Sequence, residues 1–522
     1  MKIEGPTASF ERGADIPSQL RKTVDTRRDQ VAFIFKERRV TWGELGARVY
    51  RVANSLLSRG AGKGSRVAIL SRNSVEYVEA YFGALTAGAC AVPLPTLASA
   101  QTLHLMLKDS GPAVLFVSSE FTQTIEPFIS DITSLVADGK VGLDCKDECW
   151  RGYVEWIKDA PEEPPDIEIE PEDEFHIIYS SGTTGVPKGI RHSHANRLAF
   201  VENFVPIFAM PGMVNIISTP LYSHTTMVTW LPTVCSGTTT VLMDKFDARE
   251  FLKLCEAEKV TIAMLVPVQY ERILRVEDLA KFDLTSMLVK YCTSAPLHPD
   301  TKKRILDTMP GQLVEFYGLT EGGVSTVLVA SQFTDKLDSV GHAVPGCEIK
   351  IIDDNGNEMP TGQAGEIVGR NAVMMSGYHN RDQETGDILW FDKQGQAFVK
   401  SGDMGRMDED GFVYVSGRKR DMIISGGFNI FAVDLENELL KHEAVLEAAV
   451  IGVPSDAWGE TPLALIVVDE NTKETPESIL EWVNARLGKS QRISRVEFRD
   501  EFPKNQIGKI LKNDLRKPYW DT

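Results

Sequence analysis

Apolar and polar residues alternate with two different periods in the first part of the chain. Apolar residues recur at helical spacing through TWGELGARVYRVANSLLSRG (41–60), and the short apolar run RVAILS (66–71) that follows is typical of a buried strand. The same order repeats in VEYVEAYFGALTAG (75–88), which is helical, and GACAVPL (88–94), which is strand-like. Helices that alternate with buried strands are typical of a parallel sheet. The pattern therefore predicts an α/β fold.

This pattern returns after an acidic, proline-rich interruption. We interpret DAPEEPPDIEIEPEDE (159–174) as a solvated connection without chemistry, because it has many charges and prolines. Beyond it, TTTVLMD (238–244), a helical pattern over 248–258 and VTIAMLVP (260–267) repeat the order strand, helix, strand. A second α/β layer is expected there.

The last third of the chain changes character twice. From about residue 340 to 415, short strand patterns are separated by Asn-Gly, Asp-Gly and Gln-Gly pairs, which indicates an antiparallel meander or small barrel. After Gly417, amphipathic helices alternate with strands, which predicts a compact α+β unit. The charged run GRKRD (417–421) interrupts two apolar strands and indicates the boundary between the two parts.

Composition and charge exclude some classes of protein. The 522 residues are 43% hydrophobic and 25% charged, which is ordinary for a globular protein too long for one core. A net charge of −18 argues against a nucleic-acid partner, and no run reaches the ~18 apolar residues of an integral membrane segment. Seven scattered cysteines read as reduced, buried thiols, and no signal peptide is visible, so the cytoplasm is the expected location.

Glycines, hydroxyls and one lysine make up most of residues 180–189, directly after the apolar run 175–179. Glycines let backbone N–H groups approach a ligand closely, and Lys188 adds a mobile positive charge. Such a loop suits a phosphate, although the glycine spacing differs from that of the P-loop. A mobile surface loop is the alternative interpretation.

Further short polar loops carry residues suited to binding a nucleotide. His224 lies among hydroxyls in PLYSHTTM (220–227), and TSAPL (293–297) offers a tight turn that suits an aromatic base. The ring of Tyr317 suits stacking on a purine, while Thr320 and Glu321 suit a divalent cation that bridges phosphates. A structural histidine, a core tyrosine and a surface glutamate are the alternatives.

Two more stretches add charged candidates near the end of the chain. Asp403 and Arg418 flank a strand hairpin, where a carboxylate can accept both hydroxyls of a ribose and an arginine can support it. Lys509 follows a Gly508 turn, and taken alone it reads as a solvated lysine.

The joint order of these stretches resembles the adenylate-forming enzymes, a family that includes firefly luciferase and the adenylation domains of peptide synthetases. The resemblance is to the acyl- and aryl-CoA synthetase branch and runs from about Thr41 to Arg516. It is carried by YSSGTTGVPKG (179–189), YGLTEGG (317–323), SGD (401–403), GRKRDMIISGGFNI (417–430) and PKNQIGK (503–509). It implies an N-terminal adenylation domain over 1–417, made of two α/β subdomains and a β-barrel, and a small mobile α+β lid over 418–522.

The resemblance also implies an ATP site. In it, the glycine-rich loop holds the β- and γ-phosphates, Tyr317 covers adenine, the backbone near Glu315 lies at its edge, and Asp403 binds the ribose with help from Arg418. The implied nucleotide-binding residues are Ser181, Gly182, Thr183, Thr184, Gly185, Lys188, Ser294, Ala295, Pro296, Glu315, Tyr317, Gly318, Asp403 and Arg418.

Catalytic and coenzyme A positions follow from the same resemblance. Lys509 is expected between the carboxylate oxygen and the α-phosphate, and Glu321 is expected to bind Mg²⁺. The implied catalytic residues are Lys509, Thr320, Glu321 and His224. The remaining assignments are Ser425, Gly426 and Gly427 for CoA, Arg420 for the hinge, and Thr225 and Thr226 for the acyl pocket beside His224 and the segments 291–293 and 318–324.

The expected reaction joins a carboxylic acid to CoA at the expense of ATP. Residues 222–224 lack the Asp with which peptide synthetases bind an amino group, which argues against an amino acid. The pocket segments also lack an arginine, which argues weakly against dicarboxylic acids and leaves an aliphatic or aromatic monocarboxylic acid. An enzyme that loads a separate carrier protein and a non-catalytic adenylate-binding protein remain alternatives. The oligomeric state is open, and a homodimer is compatible with the sequence.

This sequence departs from the family pattern at a few positions. Ala432 and Asp434 stand where the family often has proline and glutamate, and Thr293 and Ser294 stand where it often has glycines. These changes concern the CoA channel and the wall of the adenine site.

Overall fold

The structure is a computed structural model that describes residues 15–145, 149–180, 187–202, 204–208, 210, 212–426, 428–469, 472–488, 491–504 and 509–520. The helices are α1 Ile16–Thr26, α2 Trp42–Ser58, α3 Val75–Thr86, α4 Ala100–Ser110, α5 Ser119–Ile125, α6 Tyr153–Ile157, α7 His194–Glu202, α8 Val205–Phe208, α9 His224–Ser236, α10 Ala248–Ala257, α11 Pro267–Leu274, α12 Pro299–Thr308, α13 Asp382–Asp387, α14 Ala432–Leu439, α15 Pro476–Asn484 and α16 Lys512–Trp520.

The strands, in chain order, are β1 Val31–Phe35, β2 Arg38–Thr41, β3 Arg66–Leu70, β4 Cys90–Pro93, β5 Val114–Val117, β6 Lys140–Gly142, β7 Arg151–Gly152, β8 Glu174–Ser180, β9 Lys188–Ser193, β10 Val214–Ile217, β11 Thr239–Leu242, β12 Ile262–Leu265, β13 Val289–Cys292, β14 Gln312–Gly318, β15 Ser325–Val329, β16 His342–Ala343, β17 Glu348–Ile352, β18 Gly365–Arg370, β19 Gly377–Tyr378, β20 Leu389–Phe391, β21 Ala397–Met407, β22 Val413–Arg418, β23 Ile423–Ser425, β24 Phe428–Ile430, β25 Val445–Ser455, β26 Gly459–Val468 and β27 Arg495–Phe498. Short 3-10 turns lie at Glu126–Asp131, Leu279–Lys281 and Lys419–Asp421.

An eight-stranded sheet with the order β19-β9-β8-β4-β3-β5-β6-β7 forms the first α/β layer. The strand β3 runs parallel to β4 and β5, as the alternating pattern predicted. Helix α2 begins at a capping box, in which the Glu44 N–H donates to Thr41 Oγ1 over 3.2 Å and the Thr41 N–H donates to Glu44 Oε2 over 2.8 Å. These bonds satisfy donors that a helix start leaves open, so the predicted start is confirmed.

A nine-stranded sheet with the order β16-β15-β14-β13-β12-β10-β11-β1-β2 forms the second layer and confirms that prediction. Its central strands are parallel, and β14 turns back antiparallel into β15. The hairpin of β1 and β2 completes one edge, with Phe33 paired to Thr240. The sequence pattern did not predict this pairing.

Aromatic side chains on α3 and α9 form part of the core of the N-terminal layers. The Trp230 ring lies 4.7 Å from the Tyr81 ring and 5.3 Å from the Phe82 ring, measured between centroids. All three side chains are fully buried. Such large buried rings stabilise the packing of these two helices.

Two further sheets follow the α/β layers, one antiparallel and one mixed. The first is a five-stranded sheet in which β17, β18, β21 and β20 pair in that order and β22 adds to β21. Its antiparallel pairing was predicted, but β18 pairs with β21 and not with the next strand in the chain, so the sheet is not a simple meander. The second is the C-terminal sheet, where β24-β23-β26-β25 are joined by the parallel strand β27 and covered by α14 and α15. The mixed α/β class and the α+β C-terminal part are confirmed.

Two further predictions concern the burial of the cysteines and the presence of membrane-spanning segments. All seven cysteines are free thiols, and Cys90, Cys255 and Cys292 are buried. The expectation of buried thiols is wrong for Cys149, which is exposed in an acidic stretch. None of the helices in the described ranges combines the length and the apolar character that crossing a membrane requires.

Candidate active site

The glycine-rich loop closes a hairpin of two paired strands. Strand β8 ends at Ser180 and β9 begins at Lys188, and these two residues are partners in an antiparallel register. The hairpin thus fixes both ends of the loop between them. Five predicted phosphate contacts lie in residues 181–186, outside the described part of the chain: Ser181, Gly182, Thr183, Thr184 and Gly185.

Lys188 and Glu321 both contact the side chain of Tyr378. Lys188 Nζ lies 5.2 Å from the centroid of that ring, and the Tyr378 hydroxyl donates to Glu321 Oε1 over 2.8 Å. Burial raises the pKa of Tyr378, and the Glu321 carboxylate raises it further, so this hydroxyl stays a donor. Tyr378 reaches the site because β19 pairs with β9, where Tyr378 is opposite Ile190. Sequence reasoning missed Tyr378, which no motif marked.

The loop that carries Thr320 and Glu321 is held from both sides. His192 Nε2 lies 2.8 Å from the backbone oxygen of Thr320. Gly322 has a φ of +72°, and a Cβ there would lie 2.4 Å from the Val373 oxygen, so only glycine fits. Gly322, in the glycine pair of YGLTEGG, therefore allows a close backbone contact directly after Glu321.

Asp403 is the centre of a buried polar cluster. Arg418 Nε lies 2.7 Å from Asp403 Oδ1, and the Tyr317 hydroxyl donates to Asp403 Oδ2 over 2.8 Å. Asp403 and Arg418 face each other because they are register partners on β21 and β22. Burial raises the pKa of Asp403, while the charges of Arg418 and Lys509 oppose that shift. The sequence prediction that Asp403 and Arg418 lie together is consistent with this geometry, and their ribose role stays a prediction.

Lys509 comes to this cluster from the C-terminal part of the chain. Burial lowers the pKa of its ammonium group, the nearby Arg418 charge lowers it further, and Asp403 raises it. Lys509 is therefore within electrostatic reach of Asp403 on β21 and Arg418 on β22. A basic residue of the C-terminal unit and the buried carboxylate of Asp403 thus lie within electrostatic reach of each other.

Ser294 links the predicted adenine wall to the predicted acyl pocket. Its hydroxyl forms a hydrogen bond with the Thr225 hydroxyl. Its φ is +83°, in the region that favours glycine, which accounts for the glycines that the family often has here. Ala295 and Pro296 follow in the same turn, and Thr226 is fully buried, with its hydroxyl donating to Thr219 Oγ1 over 2.8 Å.

Glu315 is committed to an internal ion pair. Its Oε2 lies 2.5 Å from Lys302 Nζ, and both side chains are almost fully buried. Burial raises the pKa of Glu315 against the opposing charge of Lys302. The prediction for Glu315 concerned its backbone at the edge of adenine, and the ion pair fixes the strand β14 that leads to Tyr317 and Gly318.

His224, the first residue of α9, accepts a hydrogen bond from an arginine that sequence reasoning missed. Arg197 Nη1 donates to His224 Nε2 over 2.8 Å. Burial and the Arg197 charge lower the pKa of His224 to about 3, so its ring is neutral at physiological pH. The argument against a second carboxylate considered only segments around 222–226, 291–293 and 318–324, whereas Arg197 lies on α7.

Two protein families match long stretches of this sequence. The family described as AMP-binding enzyme matches residues 20–379, and the AMP-binding enzyme C-terminal domain matches residues 434–509. The chain belongs to the AMP-binding enzymes. The predicted membership of the adenylate-forming superfamily is thereby confirmed.

Named relatives of this AMP-binding enzyme extend over nearly its whole length. It is 32% identical to a feruloyl-CoA synthase from Amycolatopsis over 489 residues, which cover 92% of this chain and 94% of that protein. It is 30% identical to the long-chain-fatty-acid–CoA ligase FadD13 of Mycobacterium tuberculosis over 509 residues, or 96% and 97% of the two chains. The crystal structure of ATP-bound MatB from Rhodopseudomonas palustris has a TM-score of 0.87 at 29% identity, and the match covers 97% of this chain and 99% of that one.

The C-terminal unit of this AMP-binding enzyme carries the predicted CoA positions on a strand turn. Ser425 pairs with Gly459, and the Gly426 N–H donates to the Trp458 oxygen over 2.9 Å. Gly426 has a φ of +58°, and a Cβ there would lie 2.7 Å from the Trp458 ring, so the turn requires glycine. Gly427 lies outside the described residues.

The predicted hinge lies in the short turn Lys419–Asp421, which directly follows β22. The Arg420 oxygen accepts a hydrogen bond from Arg516 Nη1 over 3.4 Å. One helix of the C-terminal unit, α16, therefore contacts the turn where the C-terminal unit is joined to the N-terminal part.

Proposed function

We propose that this AMP-binding enzyme activates a carboxylic acid, aliphatic or aromatic, as an acyl-adenylate and then transfers the acyl group to the thiol of CoA. The observation that carries the proposal is the location of Lys509 within electrostatic reach of Asp403 and Arg418. That arrangement supports a closed state in which the C-terminal unit supplies a cation to a nucleotide site.

The reaction faces an electrostatic barrier. A carboxylate must approach the α-phosphate of ATP, and two unit charges ~4 Å apart repel by about 1 kcal/mol in water and by several times more where water is excluded. Cations that are in place before the reaction remove most of this cost, because they need no reorganisation in the transition state. Lys188 and Lys509 are the cations that we propose for this role.

In the first half-reaction, a carboxylate oxygen attacks the α-phosphorus of ATP. The bond from this phosphorus to the oxygen that bridges to the β-phosphate breaks, and pyrophosphate leaves. Lys509 stabilises the charge between the carboxylate and the α-phosphate, and Asp403 holds the ribose hydroxyls. The ring of Tyr317 lies against adenine, while Lys188 and the glycine-rich loop hold the β- and γ-phosphates. Thr320 acts beside Glu321 on the phosphates.

Magnesium fits the residues around Glu321. One Glu321 oxygen accepts from Tyr378, and the other has no hydrogen-bond partner among the described residues, so it could hold an ion. A single protein carboxylate beside phosphate oxygens suits Mg²⁺. When bound, the ion would neutralise part of the phosphate charge.

In the second half-reaction, the CoA sulfur attacks the acyl carbon, AMP leaves, and the thiol proton passes to solvent. Lys509 then occupies space that the thiol needs, so we propose that the C-terminal unit turns about Arg420 and presents the strand around Ser425 and Gly426 to the pantetheine. One small domain can thus serve two steps with two faces.

A screen of carboxylic acids for pyrophosphate release, with and without CoA, tests the proposal. We expect acid-dependent pyrophosphate and a thioester product when CoA is present. Acid-dependent pyrophosphate without a thioester would favour a separate carrier protein as acceptor. Absence of pyrophosphate with every acid would contradict the adenylating function itself.

A further inference from the structure

Arg197 carries a buried positive charge that has no carboxylate partner among the residues that the structure describes. The residue is only 1% exposed, and no ion pair with an Asp or Glu of the described residues involves it. The stretches between 180 and 212 that the structure does not describe contain no acidic residue. Burial lowers the pKa of Arg197 to about 9, so the group remains a cation near neutral pH.

The hydrogen bonds of Arg197 leave part of its guanidinium unpaired. Nη1 donates to His224 Nε2 over 2.8 Å, and Nη2 donates to the Val373 oxygen over 3.5 Å, which is at the limit of a hydrogen bond. Nε is buried and has no acceptor within the described part of the chain. Both acceptors are neutral, and a guanidinium has five N–H donors. Burying a cation with unpaired donors costs free energy unless a ligand accepts hydrogen bonds from those donors.

A row of aromatic rings connects Arg197 to the strand ends of the site. The Arg197 guanidinium lies 4.9 Å from the Phe200 ring centroid, and Phe200 lies 5.6 Å from both His224 and Phe204. Phe204 lies 5.4 Å from Phe316. All three phenylalanines are only partly buried, unlike Arg197. This row lies beside His224 and Thr225, which were predicted to line the acyl pocket.

The reacting carboxylate is a poor candidate for the missing partner of Arg197. Its negative charge disappears when the acyl-adenylate forms, so an arginine paired with it would stabilise the ground state and lose its partner in the transition state. A group at the other end of the acid keeps its charge or its lone pairs through both half-reactions. Arg197 would then stay paired throughout.

We propose that Arg197 determines specificity by binding a second acceptor oxygen, at the end of the acid remote from the reacting carboxylate. This inference rests on the proposed function. A second carboxylate or a phenolic oxygen both supply such an acceptor, and both suit the fork of a guanidinium. Hydrocarbon ends leave the cation unpaired, and amines repel it.

Matched pairs of acids test this proposal through the kcat/KM for acid-dependent pyrophosphate release. We would compare adipate with hexanoate, and para-hydroxycinnamate with cinnamate, in the wild-type protein. The acid with the second oxygen should be preferred at least about tenfold in one pair, because a buried donor left unpaired penalises the other acid. The pair that responds distinguishes a carboxylate from a phenol.

Variants at position 197 connect the preference to the arginine. Arg197→Leu should reduce the ratio within the responding pair to about twofold or less, and Arg197→Lys should retain part of it. Arg48→Leu is the matched control, since Arg48 does have a carboxylate partner, with its Nε 2.6 Å from Glu79 Oε1, and the variant should leave the ratio unchanged. Arg197→Leu should also lower the melting temperature less than Arg48→Leu, because it removes a charge that has no counter-ion.

Two results would overturn the inference. They are a wild-type protein without preference in either pair, and a preference that survives in Arg197→Leu whatever the stability of that variant. If Arg197→Leu does not fold, the wild-type ratios and Arg197→Lys decide the matter. Activity with hexanoate or cinnamate, but no preference for the acid with a second oxygen, would contradict this inference alone. Absence of pyrophosphate release with all acids would contradict the proposed function as well.

Discussion

The hydroxyl group of Tyr317 donates a hydrogen bond to Oδ2 of Asp403 over 2.8 Å. The bond satisfies one oxygen of a carboxylate that is only 5% exposed, while Arg418 satisfies the other. The Tyr317 hydroxyl therefore contacts the carboxylate that is predicted to bind the ribose, and the proposed role of the Tyr317 ring is to lie against adenine. These two roles can be separated by substitution.

Tyr317→Phe keeps the ring and removes the hydroxyl. We expect KM for ATP to rise about fivefold, since a hydrogen bond of this kind contributes about 1 kcal/mol, and kcat to stay within about twofold. Steady-state pyrophosphate release at varied ATP measures both. Tyr414→Phe is the control, because the Tyr414 hydroxyl donates to Asp408 over 3.0 Å away from the site. An unchanged KM in Tyr317→Phe would contradict the role of Asp403.

Lys509→Ala should separate the two half-reactions. Adenylate formation should fall about 10²- to 10³-fold, because a preorganised charge next to the reacting phosphate is lost. Thioester formation from synthetic acyl-AMP and CoA should change little, because the lysine has moved away in that step. Lys517→Ala is the control, since Lys517 is 71% exposed on the following helix. Equal loss in both half-reactions, with the fold preserved, would refute the assignment.

The pH dependence of adenylate formation should report the charge of Lys509. Burial and Arg418 lower its pKa from 10.5, and the protonated form is the active one, so kcat/KM should fall at a pH below 10.5 as the proton leaves. In Lys509→Arg the group stays protonated, so this alkaline decline should move to higher pH although the rate is lower. The same decline in both proteins would mean that another group titrates.

Gly426→Ala should impair the second half-reaction selectively. The added Cβ would clash with the Trp458 ring, and alanine disfavours the φ of +58° at this position. Both effects should distort the turn that we propose for the pantetheine. Thioester formation from acyl-AMP should fall at least about tenfold, with adenylate formation within about twofold. Gly395→Ala, at a φ of +77° with no neighbouring atom within 4 Å, controls for backbone strain alone. Equal activity of the two variants in thioester formation would contradict the assignment.

Local patterns predicted the elements well because they depend on neighbours in sequence. The capping box of Thr41 and Glu44 and the apolar period behind it define α2 without any distant contact. Asp403 and Arg418 were also predicted to act together, since a strand hairpin brings them into register.

Contacts between distant segments could not be predicted in the same way. The pairing of β1 with β11 and of β19 with β9 depends on which sheet edges are free after the helices pack. Tyr378 reaches Glu321 through the pairing of β19 with β9. Arg197 on α7 reaches His224 on α9 through a contact between helices. Neither residue lies in a motif, so the sequence held no signal for them.

The sequence by itself determined the order of helices and strands, the family and the residue types that can carry adenylation, because periodicity and motifs are properties of short segments. Only the tertiary structure decided that Lys509 lies within electrostatic reach of Asp403, that Tyr378 contacts both Lys188 and Glu321, and that Arg197 is buried beside His224 with no carboxylate partner among the described residues. The physical reason is that charge and burial depend on what surrounds a side chain in space, and those surroundings come from segments far apart in the chain.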